Sequence, residues 1–115
     1  MTSIVLIEYR SGLLEVRQEI LEFLGHPIIA ARGGAAAKDL DLTCASLGVI
    51  VIGHRAPREE REDLIRHFRS TVANVPILAL MARDDGAFEG VDYNCPADEP
   101  DLWIRIVQMV LAGIS

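Results

Sequence analysis

Few residues in this 115-residue chain are placed to do chemistry, and most of those stand alone. His26, His54 and His67 share no helix or strand at a ligand spacing, so they read as solvated side chains rather than a metal site. Cys44 and Cys95 are too few for a disulfide framework and too far apart for a CxxC metal pair, which fits a reducing cytoplasm. Cys44 precedes a buried apolar run and reads as a small core residue. Cys95 closes a strand at the edge where open α/β sheets bind ligands, a position at which a thiol can be reactive. Asp84, Asp85 and Asp92 add acid near the same edge, where they could lend a weak metal site, but as loop residues they read as solvated turns. Gly33 and Gly34 open no GxGxxG stretch, and no GxxxxGKS or GxxxxGKT loop occurs, so the pair reads as a turn and not as a phosphate cradle.

The elements that would position these groups follow from apolar patterning. Ser3 to Glu8, Leu47 to Ile52 and Val75 to Ala82 are short runs of aliphatic and β-branched residues, apolar on both faces. Such runs suit a parallel sheet covered by helices on each side. Weaker runs at Pro27 to Ala31 and Val91 to Cys95 bring the strands to five. Leu13, Val16, Ile20 and Phe23 recur at helical spacing, with Ser11 as N-cap and Gly25 as the stop before Pro27. A charged segment, Pro57 to Thr71, places Leu64, Ile65, Phe68 and Val72 on one face and the Glu62 and Arg66 pair on a solvated one. Gly33 to Leu42 predicts a short helix, and a last helix runs from Pro100 to about Ala112 with Asp98 or Glu99 as cap. Alternating strands and helices imply right-handed crossovers and one doubly wound α/β domain over residues 1–115.

Composition agrees with this and excludes several functions. Half of the residues are apolar and 24% are charged, as in a globular protein that can bury a core without staples. A formal net charge of −6 opposes binding along a phosphate backbone, so no nucleic-acid partner is expected. No apolar run approaches the ~20 residues that span a bilayer, and no stretch has signal-peptide order, so no membrane partner is expected and a cytoplasmic location is.

Several stretches resemble the receiver domains of two-component response regulators, over nearly the whole chain. IVLIEYRS (Ile4 to Ser11) is similar to the first receiver strand with the acidic pair after it, and IGHRAP (Ile52 to Pro57) to the end of the third strand, with its aspartate and downstream proline. VPILALMAR (Val75 to Arg83) resembles the fourth strand, and GVDYNCP (Gly90 to Pro96) the fifth, with its lysine and proline. The resemblance implies a flavodoxin-like three-layer sandwich with a five-stranded parallel sheet in the order 2-1-3-4-5. It also implies an acceptor pocket at Glu8, Tyr9, Gly53, Met81 and Cys95.

Phosphoryl transfer to a carboxylate needs a nucleophile, a metal held by further carboxylates and donors for the equatorial oxygens. Here the acceptor position is Gly53, which has no side chain, and neighbouring His54 should point to the other side of the strand end. The acidic pair is Glu8 and Tyr9, one carboxylate where magnesium needs more hard oxygen ligands. The switch hydroxyl is replaced by Met81 and the lysine by Cys95. Four changed positions point to a degenerate pseudo-receiver that requires no catalysis, metal or cofactor.

Arg83 to Glu89 is too short for a crossover of the ~10–12 residues that includes a full helix, so the fourth helix should be shortened or absent. In receivers the surface built from that helix, the fifth strand and the last helix commonly dimerises or signals. In the last helix Trp103, Ile106, Val107, Val110 and Ile114 form one stripe, while Ile104, Met109 and Leu111 fall outside it as an expected interaction face. The expected function is therefore a phosphorylation-independent interaction module in signal transduction, with a protein partner and a possible homodimer through the last helix. The alternatives are a small-molecule or redox sensor that uses the pocket vacated at Gly53, or the receiver-like fragment of a longer regulator.

Overall fold

The computed structural model describes residues 2–43 and 46–113; the core place expected for Cys44 and the Ile114 end of the last helix's stripe lie outside them. The elements are β1 (Ser3–Glu8), α1 (Ser11–Glu22), β2 (Ile28–Arg32), α2 (Gly34–Lys38), β3 (Leu47–Ile52), α3 (Arg58–Thr71), β4 (Ile77–Met81), β5 (Tyr93–Pro96) and α4 (Pro100–Leu111). The strands form one all-parallel sheet in the order β2-β1-β3-β4-β5, the expected flavodoxin-like arrangement. No helix of the described residues is long and apolar enough to cross a membrane.

Because successive side chains of a strand point to opposite faces, the apolar runs sort themselves into two cores. Ile4, Leu6, Val49, Val51, Leu78 and Leu80 face α1 and α4, where Leu21, Cys95, Trp103 and Val107 close the layer. Val5, Ile7, Ile50, Ile52, Ile77 and Ala79 face the other way, under Ala37 of α2 and Leu64, Ile65 and Phe68 of α3. Two glycines shape the connections. Gly25, at φ +83, ends the run after α1, and Gly33, at φ +89, turns β2 into α2.

The expected face of α1 is turned. Val16 is 54% and Phe23 87% exposed, whereas Arg17 and Leu21 are buried, with Leu14 and Leu24 packed beside them. Leu14, Arg17, Leu21 and Leu24 are as helical in spacing as the expected stripe, and Arg17 decides between the two by pairing with a buried carboxylate. Ser11 opens the helix, and Arg10 holds the N-cap position without a side-chain cap. The second helix stops at Lys38, short of the expected Leu42. Glu99 holds the N-cap position of α4, also without a side-chain bond.

Between β4 and β5 the described chain forms no helix, in line with the short crossover. Arginines of α3 hold this segment in its place. Arg58 donates to the carbonyls of Gly86 (2.8 Å) and Ala87 (2.9 Å), and its guanidinium lies 4.1 Å from the ring centre of buried Phe88. Arg61, 4% exposed, grips Asp85 through both nitrogens at 2.7 and 3.1 Å. Arg69 bonds the Gly90 carbonyl and Asp92, and Asp92 also accepts the Ile77 N–H at 2.8 Å. Asn94 accepts the Phe88 N–H and donates back to its carbonyl. The backbone polar groups that a helix would have satisfied internally thus find side-chain partners. This corrects the reading of Asp85 and of this helix face as simply solvated; Glu62 pairs with Arg58 (3.2 Å) and Arg66 with Asp63 (3.7 Å).

Candidate functional site

Glu8 ends β1 on the side facing α1 and α4, and it is fully buried. A buried carboxylate needs a charge partner, and Arg17, two turns into α1, supplies it at 2.5 Å. Arg17 is itself 7% exposed. Its guanidinium lies 5.9 Å from the Trp103 ring centre, and its Nη1 stands 3.4 Å from His54 Nδ1. Glu8 Oε1 has no hydrogen-bond partner. Burial pushes the Glu8 carboxyl above its ordinary range, while the bond and charge of Arg17 draw it back. Burial, then the charges of Arg17, Arg55 and Arg61, lower the pKa of His54.

Gly53 follows β3, and its N–H donates to the Ile7 carbonyl at 2.8 Å, which sets it beside Glu8 at the carboxyl edge of the sheet. A Cβ on residue 53 would lie 1.9 Å from Glu8 Oε1 and 2.5 Å from its carboxyl carbon. The space is taken. The sensor reading of the sequence assumed an open pocket there, and the Glu8 carboxylate corrects it by filling that volume.

The other expected pocket residues divide between the two faces. Tyr9 and Met81 pack against the core under α2 and α3. Burial chiefly raises the Tyr9 pKa, to about 12, and its hydroxyl is buried without a partner. Cys95 is fully buried in the other core. Burial, with a smaller push from Glu99, raises its thiol pKa, the opposite of what an activated thiolate needs. His54, expected to point away from the site, reaches Arg17 instead. Arg17 itself escaped the sequence reading; the signal was an arginine at the centre of the Leu14–Leu21 spacing, opposite a carboxylate ending an apolar strand.

Receiver chemistry calls for a divalent cation here, and the residues do not fit one. The Glu8 carboxylate already has its charge met by a guanidinium at 2.5 Å, which would repel a metal ion. Among the described residues no three His, Cys, Asp or Glu side chains gather at one point.

On α4, Ile104 and Leu111 are half-buried and pack against the core with Ile106 and Val110. Leu111 lies so close to β3 that a Cβ on Gly48 would come within 2.5 Å of it, so Leu111 faces inward and is corrected as an interaction residue. Met109, 40% exposed, stays outward, joined by Leu102, which is also 40% exposed.

No protein-family model matches the sequence, and no curated protein matches it. Solved structures are similar along nearly the whole chain. A response regulator from Thermotoga maritima, solved in complex with Mg(2+)-BeF, has a TM-score of 0.79 at 18% identity, covering 96% of this chain and 100% of that one. The signal receiver domain of a signal transduction histidine kinase from Syntrophus aciditrophicus gives 0.81 at 19%, covering 100% and 93%. The receiver domain of a Francisella response regulator gives 0.78 at 20%, with both chains covered in full. At such identities the likeness is one of architecture. The chain has the receiver fold.

Proposed function

We propose that this chain is a pseudo-receiver: a module of two-component signalling that takes up no phosphoryl group and acts through protein contacts in the cytoplasm. The observation that carries the reading is the Glu8 carboxylate, which lies where the first atom of an acceptor side chain would stand and is held there by Arg17. An acyl phosphate needs a carboxylate at that position, and its metal needs a second one. Instead the site carries its own internal cation. The last helix, with Leu102 and Met109 exposed, supports a role in partner contacts.

A backbone amide NMR titration with magnesium, followed by beryllofluoride, tests the acceptor site. The expected outcome is no saturable shift at Glu8, Gly53 or Met81. Saturable shifts there would mean that receiver chemistry survives in altered form.

A further inference from the structure

Among the described residues, the large apolar side chains that the fold leaves exposed lie on one helix layer: Val16 on α1 and Phe23 at its C-cap, Leu102 and Met109 on α4. An 87% exposed phenylalanine loses its apolar contact with nothing in return unless something covers it. Each pair is spaced i, i+7, two turns apart on one side of its helix. Between the members of each pair, at i+3, stands a charge: Glu19 on α1 and Arg105 on α4. Both are exposed, and neither forms an ion pair or side-chain hydrogen bond among the described residues. Seven of the chain's eleven Lys and Arg side chains form ion pairs among the described residues, and Arg105 is one of the four that do not.

The two stripes are therefore the same pattern with opposite charge: Val16, Glu19, Phe23 and Leu102, Arg105, Met109. We infer that the occupant is a second copy of this chain, α1 of one protomer seated on α4 of the other, with Glu19 meeting Arg105 between the apolar pairs. The inference rests on the reading of the chain as an interaction module and names its partner. Overall charge of −6 repels two copies, so the local opposite charges must set the register of the contact. Glu15 and Glu22, exposed beside the stripe of α1, and Asp101, exposed four residues before Arg105 and not paired to it, add acid on both helices, so Arg105 is the cation that the contact turns on. Where the arrangement closes on a two-fold axis, each helix pair forms twice.

Sedimentation velocity across a concentration series reads the association. Wild-type protein should form a reversible dimer. Phe23→Ser, at an exposed position, should leave the thermal melt unchanged and weaken association about 30-fold or more. Glu19→Arg brings the net charge from −6 to −4 and so lowers the general repulsion, yet it should weaken association about tenfold, because Arg then faces Arg105. The reciprocal variant carrying both Glu19→Arg and Arg105→Glu returns the charge to −6 and should restore the dimer. A wild-type monomer at every concentration overturns the inference, as does a dimer indifferent to Phe23→Ser or a double variant that stays as weak as Glu19→Arg. Any of these leaves the inert acceptor site, tested by beryllofluoride, untouched.

Discussion

Oε1 of Glu8 lies 1.9 Å from the point where a side chain on Gly53 would begin, so positions 8 and 53 cannot both carry a side chain in this geometry. A single Gly53→Asp change consequently does not rebuild an acceptor. It forces Glu8 out of its place or the strands apart, at about 1–3 kcal/mol by the usual cost of overpacking. Urea unfolding should show the lowered midpoint, and acetyl phosphate should leave no acid-labile phosphate on the variant. Adding Glu8→Ala to Gly53→Asp removes the clash and leaves the new carboxylate to meet the charge of Arg17, so it should recover part of the lost stability, and a further loss would mean that Arg17 is left without a counter-charge.

Arg17 holds the charge of Glu8, and its removal exposes what that pairing does. Arg17→Met leaves a carboxylate buried without a counter-charge, a loss of about 3–5 kcal/mol. The variant that also carries Glu8→Gln should be much less affected, and the double-mutant cycle from denaturant midpoints gives the coupling. The pH dependence carries a separate sign. With the Glu8 pKa raised above its ordinary 4.5, the folded chain holds that proton more tightly than the unfolded one. Its contribution is therefore fully present below 4.5 and declines as pH rises through the raised value. Glu8→Gln should remove that slope.

How far the sequence could be read depended on whether a residue's role was local. The apolar strand runs, the turn at Gly25 and the short Arg83 to Glu89 crossover are properties of neighbouring residues, and they foretold the sheet, the end of α1 and a crossover without a full helix. The face of α1 was not readable in this way, because two apolar stripes compete on it and a residue nine positions away in β1 decides which one is buried. Asp85 looked like a solvated turn residue for the same reason, since its partner Arg61 stands 24 residues away. That residue 53 brings no side chain was legible, but only the packing tells that Glu8 fills the space beside it.

The clamp on the β4–β5 segment sets an acid limit. Asp85 is held below its ordinary 3.8 by the hydrogen bond from Arg61, with burial opposing and the Ala82 N–H and nearby guanidiniums assisting. A depressed carboxylate stabilises the fold above 3.8, and that contribution is lost as pH falls through the lowered value. Asp85→Asn should flatten this acid limb and cost about 1.5–3 kcal/mol at neutral pH, the range for a hydrogen bond to a charged group. Amide exchange should rise first at Phe88, whose packing depends on the two arginines.

Cys95 separates a buried thiol from a sensor thiol. Its side chain lies in the same core as Trp103, and burial raises its pKa above 9.0. A thiol in that setting reacts only when the fold opens, because the reagent must reach it and the thiolate is scarce at neutral pH. In a Cys44→Ser background, labelling by a disulfide reagent at pH 7.5 should follow the rate or extent of opening and accelerate steeply in urea. Fast labelling of the native protein, with a midpoint near pH 7, would point to an activated thiolate and return the redox reading to favour. The expected slow reaction instead leaves Cys95 as a packing residue of the core that α4 covers.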